Sequence, residues 1–189
     1  MSAFIYARRT FSSERENMEL LDLRFSEKTL KILKGMAGQV FEKYRCDPSI
    51  FHPVYLLPVG IYAGGKKTDV LEWIFREAEE KEIHSSRPAV VQEDHALQKE
   101  IKEVRIINEK KTLSRCGKAE YRVYLTKAVR FIFEKGYLQI RKPVYFSPFL
   151  NLEDDGEECR EWEKLDNLPE EWEETYDVNT ETEILAYKK

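Results

Sequence analysis

The sequence predicts an α+β fold, with N-terminal helices packed on a mostly antiparallel sheet and an acidic C-terminal extension. Three observations lead there. Apolar residues recur every three or four positions through much of the first hundred residues, the spacing of amphipathic helices. Beyond residue 103 the period changes to two, the spacing of half-buried strands. Helical patterns followed by a strand meander describe a segregated α+β architecture rather than an alternating one. A chain of 189 residues with 42% hydrophobic and 12% aromatic residues builds one core, which excludes wholesale disorder. Eight glycines and seven prolines exclude collagen-like and low-complexity classes.

Taken in order, 3–7 is a short strand candidate. The segment 18–25 reads as a strand with Leu21, Leu23 and Phe25 on one face. Ser26 is a suitable N-cap for a helix whose stripe is Leu30, Leu33, Ala37, Val40, Phe41 and Tyr44, with Gly35 and Gly38 inside it and Asp47-Pro48 ending it. Val54 to Tyr62 is interrupted by Pro58, which points to an edge strand. Helices are expected over 69–82 and 92–103, the latter burying Leu97 and Ile101. Strands follow at 104–107, 121–126, 128–133, 137–141 and 144–146, with Glu134-Lys135-Gly136 as a hairpin turn; Lys127 is short for a turn, and one long bent strand through it is the alternative. Short helices at 157–165 and 169–174 and a last strand at 182–187 complete the chain.

Charge divides the chain more sharply than hydropathy. Residues 151–189 hold fifteen acids and four bases, whereas 101–150 hold twelve bases and four acids. The expected organisation is therefore an α+β domain over 1–150, with its basic β region at 101–150, and an acidic, aromatic-containing extension over 151–189 packed on it. Such polarity bears on partners.

Chemistry-bearing motifs fail on spacing. Gly60 to Thr68 imitates a phosphate-binding loop, but Lys67 stands where the hydroxyl residue belongs and Thr68 comes one position late, so the segment reads as a structural loop. His52, His84 and His95 do not pair at helical spacing or adjoin a cysteine, and no metal ligand set emerges. Cys46, Cys116 and Cys159 are odd in number and dispersed, which predicts reduced thiols and no disulfide framework. No nucleophile elbow is present, and Glu100-Ile101-Lys102 is the kind of triplet any charged segment contains. No catalytic residue, cofactor or metal is assigned, and the chain reads as non-enzymatic.

No apolar run reaches the roughly 20 residues of a membrane span. The apolar stretch in Met1 to Arg9 is too short for a signal sequence, so a soluble cytoplasmic protein is expected. The leading functional expectation is an interaction module of the inhibitor, immunity or adaptor type. It presents an acidic surface of Trp162, Trp172, Tyr176, Glu158, Glu161 and Glu173 to a protein with a basic surface. The alternative is a nucleic-acid-binding module. If the strands alternate regularly, Arg122, Tyr124, Arg130, Tyr137 and Arg141 share one sheet face, where guanidinium groups neutralise phosphates and aromatic rings stack on bases.

Overall fold

The structure, a computed structural model, describes residues 18–48, 54–69, 93–142, 149–155 and 175–189. Their elements are β1 (Glu19–Leu23), α1 (Glu27–Gly35), β2 (Val40–Pro48), β3 (Val54–Ala63), β4 (Lys66–Asp69), β5 (Glu93–Glu100), β6 (Glu103–Arg115), β7 (Lys118–Ile132), β8 (Tyr137–Arg141), β9 (Phe149–Asp155) and β10 (Asp177–Lys188). The fold is predominantly β, which corrects the α+β expectation. The ten strands form one sheet, in the order β10-β6-β7-β8-β9-β3-β2-β5, with β4 beside β3 and β1 beside β7. All ladders are antiparallel except β1–β7.

β5 runs into β6 through Ile101 and Lys102 alone. The strand that ends the sheet is thus continuous with its second strand, and the sheet rolls up on itself. Gly38 donates to the Ile101 carbonyl (2.7 Å) and Lys102 to that of Ile132 (2.8 Å), which bind the bend to its neighbours. Inside lie Phe41, Ile61, Ile101, Val104, Ile106, Val129, Phe131, Leu138, Ile140 and Leu152, contributed by strands from around the roll. Phe41 of β2 meets Phe131 and Phe133 edge-to-face, at centroid separations of 5.1 and 6.0 Å, so opposite walls touch. Leu33 of α1 and Met36, its C-cap residue, join the same core.

The expected helices fail for a stateable reason. Ser26 does cap α1, accepting from the Thr29 amide at 3.3 Å, but the helix stops at Gly35 and the chain turns at Gly38 (φ 85°). Val40 onward is strand. A bulge at Glu42 places Phe41 and Tyr44 both inward, and that three-residue interval imitates a helical one. Residues expected as a third helix form β5. Leu97 is partly buried in β5 and Ile101, just past its end, is fully buried; their interval of four residues is both about one helical turn and two strand repeats. β3 is internal rather than an edge. Its Pro58 falls where the register shifts from Arg45↔Gly60 to Asp47↔Leu56, so it interrupts no ladder bond. The segments expected at 3–7, 144–146, 157–165 and 169–174, and most of the 69–82 helix, lie outside the described residues; Asp69 itself ends β4.

Beyond the roll, β6 and β7 continue as a long hairpin flanked by β1 and β10. Leu113, Val123 and Leu125 form a second small core there, against Leu21, Leu23, Tyr176 and Val178. Its turn is Cys116-Gly117, with φ of 51° and 74°, between Arg115 and Lys118. A two-residue turn with both φ positive is the primed type, which suits Asn-Gly and strains most other side chains at the first position. Cys116→Asn is therefore expected to stabilise the protein by about 0.5 kcal/mol and Cys116→Val to destabilise it by about 1 kcal/mol or more, read from urea unfolding midpoints.

Candidate interaction surface

β10 is built from a two-residue repeat. Val178, Thr180, Thr182 and Ile184 point to one face, and Asp177, Asn179, Glu181 and Glu183 to the other. β-branched residues on the first set favour extended backbone. On the second set the character changes along the strand, from acids to Leu185 and Tyr187, which pack on the main core. β10 pairs along its length with the basic strand β6. Glu181 accepts from Lys110 Nζ (3.0 Å) and Glu183 from Asn108 Nδ2 (2.9 Å), while Thr180 Oγ1 accepts from the fully buried Lys111 (2.8 Å). On its other side β10 has no strand partner among the described residues. Glu181 keeps 58% of its side chain exposed, so its pairing with Lys110 contributes at most about 1 kcal/mol and leaves the carboxylate accessible. Ile184 is 50% exposed, the most among the described large hydrophobic residues.

The basic face is divided. β6 and β7 pair Ile107 with Ala128 but Asn108 with Thr126, so Lys127 is an extra residue in β7. One inserted residue reverses the faces of everything beyond it. Arg122 and Tyr124 therefore share a face with Asn108, Lys110 and Thr126, and Arg130 lies on the opposite one with Tyr137 and Arg141. The Tyr124 ring has the Arg24 guanidinium 4.9 Å from its centre and Lys110 Nζ at 5.9 Å. Arg24 is itself held by Asp22 in a two-point contact (2.7 and 3.0 Å). Arg130 (4% exposed) donates to Gln139 Oε1 at 2.9 Å and lies 4.8 Å from the Tyr137 ring. Gln139 in turn donates to Glu153 (2.9 Å), which also takes Arg141 at 2.8 Å. Arg130, Tyr137 and Arg141 are thus engaged with β9, a strand of the acidic stretch.

Of the expected acidic surface, Trp162, Trp172, Glu158, Glu161 and Glu173 lie outside the described residues. Tyr176 is held within the chain. Arg115 donates to its hydroxyl (3.0 Å) and lies 4.8 Å from its ring, and Tyr121 meets it edge-to-face. Residues 149–155 and 177–188 are strands of the sheet itself. Asp177, Glu181, Glu183 and Ile184 were not singled out from sequence, although the alternation from Asp177 to Glu183 carries them.

The remaining candidates resolve as follows. Gly64-Gly65 is the two-residue turn of the β3–β4 hairpin, with Gly65 donating to Glu42 (2.7 Å), so the loop-like motif is structural. His95 sits in β5 with its ring stacked on Tyr44 at 4.7 Å; His52 and His84 lie outside the described residues. Cys116 is a free, exposed thiol. Glu100 lies between Lys102 (2.9 Å) and Lys189 (2.8 Å), whose hydrogen bonds lower its carboxyl to about 2. It borders an open groove of about 480 Å³ shared with Lys99, Lys102, Phe133, Glu134 and Lys135. Among the described residues no three His, Cys, Asp or Glu side chains gather as a metal site, and no helix is long and apolar enough to cross a membrane.

Among the described residues three lysines are buried: Lys111 in β6, Lys127 in β7 and Lys142 just past β8. Lys111 lies 3.9 Å from Glu109. Lys142 donates its amide to the Lys127 carbonyl (3.0 Å), and burial, reinforced by the charge of Lys127, lowers its ammonium to about 8.

Comparison with protein-family models, with curated proteins and with solved structures gives no match for this chain.

The Lys142 ammonium titrates near 8 when folded and at 10.5 when exposed. Between these values the unfolded chain binds more protons, so stability must rise with pH across that window and be lowest below it. The expected gain is about 3 kcal/mol from pH 8 to pH 10.5. Unfolding free energies of wild type and Lys142→Met against pH should differ by that slope, with the variant more stable at pH 7. Parallel profiles would show that Lys142 does not supply it.

Proposed function

We propose that this chain is a non-enzymatic protein-interaction module that offers an acidic surface to a partner with a basic surface, and that the outer edge of β10 belongs to that surface. The observation behind this reading is the exposed run Asp177, Glu181, Glu183 and Ile184 on a strand with no partner on its outer side among the described residues. An acidic rim raises encounter rates with basic partners, and an apolar side chain within it adds burial on contact. The exposed free thiol of Cys116 fits a reducing, intracellular setting. Expected absences of cofactor and catalytic machinery belong to the same proposal.

The alternative, single-stranded nucleic acid, rests on a smaller cluster than the sequence suggested: Tyr124 with Arg24 and Lys110 around its ring and Arg122 two residues away. A salt-steep affinity for single-stranded RNA that is lost in Arg122→Ala/Tyr124→Ala would establish this reading in place of the first.

For the leading reading, the full chain is titrated into a labelled lysine-rich peptide by fluorescence anisotropy. Glu181→Lys/Glu183→Lys is expected to weaken binding by about tenfold or more at low salt, with folding checked by circular dichroism. Equal affinity of variant and wild type would remove β10 from the surface.

A further inference from the structure

We infer that the outer edge of β10 receives an extended basic peptide as an additional strand of the sheet, with Lys or Arg at alternate positions facing Glu181 and Glu183. This rests on the interaction-module reading above and names the partner's chemistry and its mode of attachment.

The backbone supplies the first argument. β10 runs twelve residues in ladder with β6 and pairs with no other described strand, so its outward N–H and C=O groups form a template for one more strand. A second argument is that β10 already accepts a strand of this chemistry on its inner side. There Lys110 and Asn108, two residues apart on β6, meet Glu181 and Glu183, two residues apart on β10. A strand on the outer side would meet the same two carboxylates with the same two-residue interval, because side chains repeat with that period on each sheet face.

Charge also decides against the most obvious competitor, a second copy of this chain. Two β10 edges paired antiparallel along their full length would set acid opposite acid on the shared face, and like charges directly opposed destabilise a ladder. The edge is therefore guarded against itself, and among the described residues no strand occupies it. Ile184, on the other face and half exposed, gives an added basic strand one apolar contact beside the charged pair. The pattern recognised in antiparallel orientation is an apolar residue, then a basic one, any residue, and a second basic one.

The test uses the full chain and three peptides of about ten residues each. One alternates lysine with valine, one has the same composition with the lysines in a block, and one is the alternating peptide N-methylated on one backbone edge. Strand addition predicts that the alternating peptide binds at least tenfold tighter than the block peptide, and that N-methylation and Ile184→Lys each remove most of that difference. Equal binding of all three peptides would overturn strand addition and leave the acidic-surface reading standing. Absence of binding by any of them at about 50 mM salt would overturn both. A peptide-free dimer in sedimentation that Ile184→Lys converts to monomer would show the edge to be filled by a second copy, and would also overturn the inference.

Discussion

The long strand β7 has to serve two environments at once, and the structure depends on how it does so. From Ala128 to Ile132 it is a stave of the closed roll, placing Val129 and Phe131 in the main core. From Tyr121 to Leu125 it belongs to the flanking extension, with Val123 and Leu125 in a different core on the opposite side of the sheet. A regular strand cannot do both, because its apolar side chains would then all lie on one face. Lys127 supplies the one-residue phase change, and the two hydrophobic clusters are consequences of it. Thr126, next to this irregularity, accepts from the Phe25 amide (3.0 Å) and donates to Asn108 (2.9 Å), so its buried hydroxyl is satisfied and the entry to α1 is anchored there.

The same irregularities account for what could be read in the sequence. β8, the 182–187 part of β10 and the Glu134-Gly136 hairpin are legible, because their alternation is unbroken and Gly136 takes the positive φ (78°) that the turn requires. The cap at Ser26 was legible because capping is local. β2 and β5 carry apolar intervals that a helix also satisfies. In β2 a bulge converts a two-residue repeat into an interval of three, and in β5 the deciding residues are four apart, which fits either period. The basic face follows from giving the apolar residues of 121–126 and 128–133 to one core face, which sets Arg122 and Arg130 together on the other. Only the pairing with β6 reveals the reversal, and that pairing is tertiary information. The acidity of 151–189 was plain, but counting charge did not show that two of its segments were strands.

Charge segregation along the chain acquires a structural meaning from this arrangement. The basic strands β6 and β8 are each flanked by a strand from the acidic stretch: β10 beside β6 and β9 beside β8. Lys110 with Glu181, and Arg141 with Glu153, are cross-strand contacts of that kind. Opposite charge in separate stretches of sequence thereby helps to select which strands become neighbours, while the buried apolar residues supply most of the stabilisation.

The route by which the roll closes has a kinetic consequence. β6 and β7 meet through a two-residue turn and can pair as soon as both exist, whereas β3 meets β9 with Val54 opposite Asn151, and β1 meets β7 with Glu19 opposite Tyr121. Ladders between such distant segments carry a large loop-closure entropy before any contact rewards it. The β6–β7 hairpin is thus the most local of these pairings, and the distant ladders carry the larger closure cost. Until β10 arrives, the long edge of β6 stands open, and its charged residues Arg105, Lys110, Lys111 and Arg115 are of the kind that keep an unpaired edge from joining other chains. The charges that later hold β10 would, in that interval, act as the strand's own safeguard.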